Sequence, residues 1–371
     1  MKNNPFISQS FTKIWLKHFN AGQEAYSFNF IKGLSFLKQK LLPIYTNVGK
    51  NNTNGISYSL NDISQHKDYK KNVFIIYDVP TYFNIAEENK NSRLKTKRIN
   101  QYKGVLIDIS AYESFDDLLQ NKFKAKSRYN LRKKQKQLEN NFNITYCIYD
   151  DKITTEEYNF LAKHLKEQIT KRFDGLKKHN RVVNTWDYYY DLMLPLIKEK
   201  KAVIITVNRD NIPIGMTFNL LSEKVLFYAI TTFDTDFINY NIGHTTIMQI
   251  LKWCFENNYD IVDFSKGETE YKNRWLSSCY HFQNHILYDS KSISATLFAN
   301  AISIYFQFKQ FLRNQNINMF YTRLKFLFKK NSTQNSKKTA LKLTCVNIIE
   351  YAINEFANLG GDVLNNYTAY F

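Results

Sequence analysis

The segment Asp263-Phe-Ser-Lys-Gly-Glu-Thr-Glu-Tyr-Lys-Asn-Arg-Trp275 gathers carboxylates, a tyrosine, a lysine and a tryptophan around one glycine. A strand predicted over 261–264 ends at Asp263 and Phe264, a turn follows at Gly267, and a helical turn is expected at Tyr271–Trp275. Groups at the end of a strand beside a loop are well placed for chemistry. The Tyr271 hydroxyl or the Lys272 ammonium can protonate a leaving thiolate or steady a tetrahedral oxyanion. The same residues also fit a solvated surface turn in which Tyr271 and Trp275, four apart, simply pack.

A second group lies just upstream, in Asn239-Tyr-Asn-Ile-Gly-His-Thr-Thr246. It follows a strand and opens a helix predicted over 245–257, with Ile247, Ile250, Leu251 and Cys254 facing the core. Glycine permits close backbone approach and positive φ, and first-turn amides point beyond a helix end. Asn241, Gly243, His244 and Thr245 therefore suit the pyrophosphate of an acyl carrier such as CoA. An ordinary helix start has the same appearance.

Two basic groups complete the inventory. Eight Lys and Arg residues fall between Lys122 and Lys136, with no acid until Glu139. At about 100° per residue they surround a helix rather than forming one stripe. Arg128 and Arg132, at i and i+4, suit phosphate or carboxylate contacts; a helix that touches nucleic acid, or one that is merely soluble, fits as well. In Thr170-Lys-Arg-Phe-Asp174, Arg172 can form a wall of an acceptor pocket, and helix C-terminal cations favoured by the macrodipole explain it equally.

Other chemistries find no support. The chain has no GxSxG, HExxH, Walker-type GxxxxGK[ST] or strand-following GxGxxG pattern. Histidines form no cluster, and Cys147, Cys254, Cys279 and Cys345 show no CxxC pair, so reduced packing cysteines and no metal site are expected.

With 371 residues the chain has room for two ordinary domains, and 44% hydrophobic with 16% aromatic residues excludes a disordered protein. Lys and Arg outnumber Asp and Glu by 51 to 33, a net charge of +18 that attracts nucleic acid, anionic lipid or phosphorylated ligands without choosing among them. The opening Met-Lys-Asn-Asn-Pro-Phe lacks the apolar core of a signal peptide. The uncharged run Ser292–Phe308, broken by Asn300 and Gln307, falls short of a membrane span. A cytoplasmic protein is expected, with peripheral contact at the inner membrane left open.

Three sections position these residues. Residues 1–114 open with an amphipathic helix (Phe11, Ile14, Trp15, Phe19), then strand-like runs at 41–46, 72–77 and 105–109 and a charged loop or short helix at 87–98. Residues 115–290 begin with a basic helix over 115–140 and a strand at 144–149. A helix capped by Thr154 and Glu157 follows, then one over 185–200. Strands at 202–208, 212–221 and 225–231, joined by tight connections, predict an antiparallel meander. A final strand is read at 281–288. Residues 291–371 are helical in pattern, including an apolar-striped helix at 341–356. This order is an α/β (α+β) arrangement with mixed, largely antiparallel central sheets flanked by helices, unlike a doubly wound parallel sheet.

In order and spacing, Asn4-Pro-Phe-Ile-Ser-Gln-Ser-Phe…Trp15, Ser127-Arg-Tyr-Asn-Leu-Arg-Lys-Lys…Leu138-Glu139, Pro213-Ile-Gly215, Asn241-Ile-Gly-His244 and Asp263-Phe…Gly267…Glu270-Tyr-Lys-Asn-Arg-Trp275 resemble the BioF2-like acetyltransferase domain. That domain is a GNAT-superfamily relative of the Fem-type (FemAB-like) peptidyltransferases, and the resemblance spans roughly residues 5–290. It implies two GNAT-like halves, the first degenerate (1–114) and the second (115–290) carrying the donor site, followed by a C-terminal helical extension (291–371). It further implies direct transfer of an acyl group to an amine, with backbone groups of Tyr228, Ala229 and Ile230 polarising the acyl carbonyl. By resemblance Gly243, His244 and Thr245 fall on the donor phosphate loop, Tyr271 on the thiol-protonating acid, and Lys272 on a reaction-site lysine of Fem-type enzymes. From the residues themselves, Asp263 is added as a catalytic candidate, and Arg128, Arg132, Arg172 and Trp275 as substrate-binding candidates. Asn-Ile-Gly-His stands where Ser-Pro-Gly is more usual.

The function expected from this is an N-acyltransferase that uses acetyl-CoA or another acyl-CoA as donor. Its acceptor would be an amine of an amino-sugar, polysaccharide or cell-envelope precursor. Two alternatives stand beside it: a Fem-like transferase using aminoacyl-tRNA, and a non-catalytic GNAT-fold scaffold at a membrane surface.

Overall fold

The computed structural model describes residues 3–50, 52–85, 92–176, 180–267 and 270–315. The apolar-striped helix read at 341–356, the first part of the charged loop and Glu268 lie outside the described residues. Two compact units divide the chain, Met1–Ser303 and Ile304–Phe371. The sheet and both cavities lie in the first.

A 3₁₀ turn at Pro5–Ile7 leads into α1 (Gln9–Phe19). The strands β1 (Tyr26–Ser27), β2 (Ile31–Lys32), β3 (Ser35–Lys38), β4 (Ile44–Asn47), β5 (Ser59–Leu60), β6 (Val73–Pro80) and β7 (Leu94–Asp108) follow. Next come α2 (Phe115–Lys122), α3 (Ala125–Asn141), β8 (Ile144–Tyr149), α4 (Thr155–Gly175), α5 (Arg181–Asn184) and α6 (Trp186–Lys198). The meander is β9 (Ala202–Arg209), β10 (Ile212–Ser222) and β11 (Val225–Phe233). A 3₁₀ turn at Thr235–Tyr240 precedes α7 (Ile242–Glu256), β12 (Ile261–Lys266), α8 (Glu270–Trp275), β13 (Ser278–Asp289) and α9 (Ile293–Asn314).

Among the described residues one eleven-stranded sheet, β1-β3-β4-β6-β13-β7-β12-β11-β10-β9-β8, runs through both of the halves read from the sequence. Its pairs are antiparallel except β4–β6 and β11–β12. The expected meander is present, with Asp210 and Asn211 both at positive φ in its first connection, as a tight hairpin demands. Helices cover both faces. Ile204, Met216, Phe218 and Phe227 face Tyr158, Leu161, Leu192 and Leu196 of α4 and α6. Val203, Ile205, Leu226 and Tyr228 face Leu118, Leu131, Ile247 and Leu251 of α2, α3 and α7. Burial on both faces is why β9 reads Ala-Val-Ile-Ile-Thr-Val without polar alternation.

Among the element boundaries that differ from the sequence reading, three bear on the site. The basic helix over 115–140 is two helices, because Phe123 adopts an extended conformation (φ −122, ψ 139) that ends α2. β7 reaches back to Leu94 through residues read as loop or short helix, because its ladder with β13 satisfies their backbone. The helix α7 starts three residues early, at Ile242. The capping box is formed as read: Thr154 Oγ1 accepts from the Glu157 amide at 3.1 Å, and Glu157 accepts from the Thr154 amide at 2.7 Å. Among the described residues no helix is long and apolar enough to cross a membrane.

The seat of α7 depends on Gly215 of β10. A Cβ there would stand 2.8 Å from Thr246 Oγ1 and 3.1 Å from Ile242 Cγ1. Only a residue without a side chain lets the first turn of the helix lie so close to the sheet. Gly215→Val should therefore destabilise the protein by about 1–3 kcal/mol, read as a lower urea midpoint. A wild-type midpoint would show that α7 does not ride on this strand.

Candidate active site

β11 and β12 run side by side for three residues only, Val225 with Ile261, Leu226 with Val262 and Phe227 with Asp263. Beyond that point they part. On β11, Tyr228 pairs with Asn219 and Ile230 with Phe218, leaving Ala229 as an extra residue that bends the strand. On β12, Ser265 takes φ 63 and the pairing with β7 shifts between Asp263 and Lys266. A notch opens, and the β11 backbone beyond Tyr228 has no strand partner on the β12 side among the described residues.

The N-terminus of α7 sits at this notch. Asn241, not Gly243, takes the left-handed conformation (φ 54), and its carbonyl accepts from the amides of His244 and Thr245 at 2.9 and 3.2 Å. Gly243 is helical. What it supplies is space, since a Cβ there would meet nothing nearer than the Phe233 ring at 3.7 Å. From α4, Lys171 ties the approach to α7 by bonds to Asp234 (3.0 Å) and Asp236 (3.1 Å), and the Arg172 guanidinium lies 4.6 Å over the Phe233 ring.

Together these elements enclose a cavity of about 260 Å³ lined by Arg172, Tyr228, Thr231, Phe233, Ile238, Asn241, Ile242, Gly243, His244 and Tyr271. Six of the residues singled out from the sequence meet here: Arg172, Tyr228, Asn241, Gly243, His244 and Tyr271. A guanidinium and a helix N-terminus favour an anion, while the phenyl and isoleucine walls favour an uncharged chain. Thr231, Phe233, Ile238 and Ile242 were not singled out from the sequence as site residues. For the first two a period-two signal existed, since Ala229, Thr231 and Phe233 alternate with buried neighbours along β11.

Several other candidates stand elsewhere. Asp263 is fully buried, and its carboxylate accepts from the Tyr280 hydroxyl (2.7 and 2.6 Å), the Tyr82 hydroxyl (2.6 Å) and the Ser265 amide (2.6 Å). Lys272 turns into the protein, where its Nζ donates to the Lys266 carbonyl at 3.0 Å, closing the turn before α8. Thr245 is buried against the sheet, and Ile230 faces the opposite core; Ala229 is the bulge itself. Arg128 donates to the Phe123 carbonyl at 2.6 Å and Arg132 to Asp116 at 2.8 Å, so both join α3 to α2. Trp275 is fully buried, edge-on to Phe123, and its indole donates to His244 Nδ1 at 2.9 Å.

Burial sets the ionisation of this region. It raises Asp263 to about 6 against the pull of its hydrogen bonds and of Lys272, and it lowers Lys272 to about 8. It also lowers His244 to about 4, helped by Arg274, so the imidazole is neutral at pH 7.

A second cavity, about 370 Å³, adjoins Val79–Ile85 and Arg98. Its His285 is satisfied internally, Nδ1 with the Tyr58 hydroxyl (2.8 Å) and Nε2 with Gln283 Oε1 (3.0 Å).

The parting strands β11 and β12 and the α7 N-terminus between them all lie within residues 125–273. Residues 125–273 match the family model described as an acetyltransferase (GNAT) domain. The chain carries a GNAT acyltransferase domain and is an acyltransferase. No curated protein matches the sequence. Among solved structures it is similar to FemX, with 12% identity over 78% of this chain and 93% of that one and a TM-score of 0.49. A conserved protein of unknown function from Bacteroides thetaiotaomicron VPI-5482 shares 10% identity over 77% and 91%, with a TM-score of 0.48. L-PGS from Bacillus licheniformis shares 10% over 80% and 97%, with a TM-score of 0.44.

The raised Asp263 makes a pH prediction. Between about pH 4 and 6 the folded protein binds a proton there that the unfolded chain has released, so this residue's contribution to stability falls as pH rises through that window. The melting temperature of the wild type, relative to Asp263→Asn, should be higher at pH 4.5 than at pH 7.5. An equal gap at both would mean that Asp263 titrates as an ordinary carboxyl.

Proposed function

We propose that the protein is an acyl-CoA-dependent N-acyltransferase acting by direct transfer to an amine of an amino-sugar, polysaccharide or other cell-envelope precursor. The observation that carries this reading is the notch between β11 and β12 with the first turn of α7 and Tyr271 at its walls. The amides of Ile242 and Gly243, in the first turn, lack an intrahelical acceptor, and the open side of Gly243 admits a phosphate close to them. Arg172 adds a fixed positive charge at the same cavity. A nucleotide-linked thioester fits such a site, its phosphates toward α7 and its acyl end along β11.

In this arrangement the β11 backbone beyond the Ala229 bulge, on the side turned toward β12, receives the acyl carbonyl and supplies hydrogen-bond donors to the developing oxyanion. The acceptor amine attacks the carbonyl carbon, so a C–N bond forms and the C–S bond breaks. Tyr271 gives its hydroxyl proton to the departing thiolate and regains one from water, while the amine proton leaves to solvent. Holding both partners in one cavity supplies much of the rate. Lys272 and Asp263 act in support: the first closes the turn that carries Tyr271, the second anchors the strand from which the turn departs.

Calorimetric titration with acetyl-CoA and longer acyl-CoAs tests the donor. Binding is expected in the wild type and not in Gly243→Trp, whose indole would occupy the cavity while the helix keeps its favourable backbone. Absence of binding to any acyl-CoA would overturn the donor assignment. For Tyr271→Phe, kcat should fall about 10²-fold or more with donor affinity unchanged; undiminished turnover would remove Tyr271 from the chemistry.

A second reading is favoured by one observation. Lys124, Lys126, Arg132, Lys133 and Lys136 are all exposed at and along α3, beside the exposed Tyr129 ring. Such a helix suits a polyanionic donor, and an aminoacyl-tRNA would be retained at low salt with an affinity that falls steeply as salt rises. Passage of tRNA through immobilised protein at low salt would exclude it.

A further inference from the structure

His244 is the residue at the cavity that departs most in chemistry from a plain helix start, and a fixed partner holds it. The Trp275 indole nitrogen can only donate a hydrogen bond, and it lies 2.9 Å from His244 Nδ1. Nδ1 must therefore accept, and in a neutral ring the single proton resides on Nε2. Trp275 is fully buried between α8 and the core, with its ring edge-on to Phe123 at 4.9 Å, so the donor has no freedom to swing away. The Nδ1 edge of the imidazole faces Trp275, and the Nε2 edge faces away from it, on a residue that lines the cavity.

We propose that Trp275 is a positioning residue that locks His244 into its Nε2–H tautomer, making His244 a neutral hydrogen-bond donor to an anionic oxygen of the ligand in the cavity. This deepens the acyl-CoA reading and rests on it for the ligand, a phosphate oxygen of the donor. It also assigns His244 a role opposite to that of a base. With Nδ1 occupied by the indole and Nε2 carrying the proton, the ring has no lone pair to offer an acceptor amine. The charged groups about it agree: Arg274 on α8 opposes a positive imidazolium, and Arg172 on the cavity wall favours an anion there.

Two measurements test this separately. In a long-range ¹H–¹⁵N correlation spectrum at pH 7, without ligand, His244 should show the neutral Nε2–H pattern in the wild type and lose that single pattern in Trp275→Phe. An Nδ1–H tautomer or an imidazolium in the wild type overturns the lock. In calorimetric titration with CoA, His244→Gln places an amide donor near the position of Nε2 and should bind within a few-fold of wild type. His244→Asn, whose amide reaches only the Nδ1 position, should bind about 10- to 100-fold more weakly, the range for a hydrogen bond to a charged group. Both variants keep the helix, so equal affinity in the two, beside a binding wild type, overturns the donor role and leaves the acyl-CoA reading standing. A wild type that binds no CoA overturns that reading and the phosphate role of His244 with it, while the spectrum still decides the part played by Trp275.

Discussion

The separation of β11 from β12 after three paired residues is the constraint on which the rest of the second half depends. A parallel pair that continued would satisfy its own backbone and leave no site. Here the Ala229 bulge and the positive φ of Ser265 end the pairing on both sides at once. Half-buried amides and carbonyls are left that need solvent or a ligand as partner. The neighbouring elements hold this gap at its width. The meander fixes β11 from one side, α7 is seated on Gly215, and the end of α4 is pinned through Lys171 to Asp234 and Asp236.

The other side of the gap is braced by buried polar groups rather than by apolar packing alone. Asp263 collects two tyrosine hydroxyls, and Lys266 pairs with Asp78 at 2.6 Å between the rings of Tyr102 and Phe282, each 5.0 Å from its nitrogen. Buried charges are costly unless so satisfied, which makes the end of β12 intolerant of displacement. Tyr82 and Asp78 come from the first half of the chain, while the residues lining the first cavity all lie between Arg172 and Tyr271. The first half therefore contributes geometry to this site through the strand it braces, without lining it.

Electrostatics and shape act together in the cavity. Arg172 and the α7 N-terminus provide a positive end, and the neutral His244 adds a directed donor. Phe233, Ile238 and Ile242 give the remainder an apolar wall. The exposed lysines of α3 are spread outside it, suited to attracting polyanions over distance rather than to holding one group.

Much of this was legible in the residues alone, where the cause is local. Turn chemistry at Asp210-Asn211, the capping box of Thr154 and Glu157, and the helical repeat of Ile247, Ile250, Leu251 and Cys254 act over a few residues, and the sequence displays them directly. The same locality placed Asn241, Gly243 and His244 at the start of α7, and Tyr271 in the turn after β12. What the chain could not reveal by itself is decided across long separations. Asp263 stands in the sequence as a carboxylate at a strand end, and that Tyr82, 181 residues away, donates to it shows only in the fold. Lys272 and Tyr271 are adjacent, yet one turns inward to the Lys266 carbonyl and the other lines the cavity. The first residues of β7, 94–98, read as charged loop or short helix until β13 supplies their ladder. Spacing along the chain determined which groups were available; bulges, strand partners and buried bonds decided which of them meet.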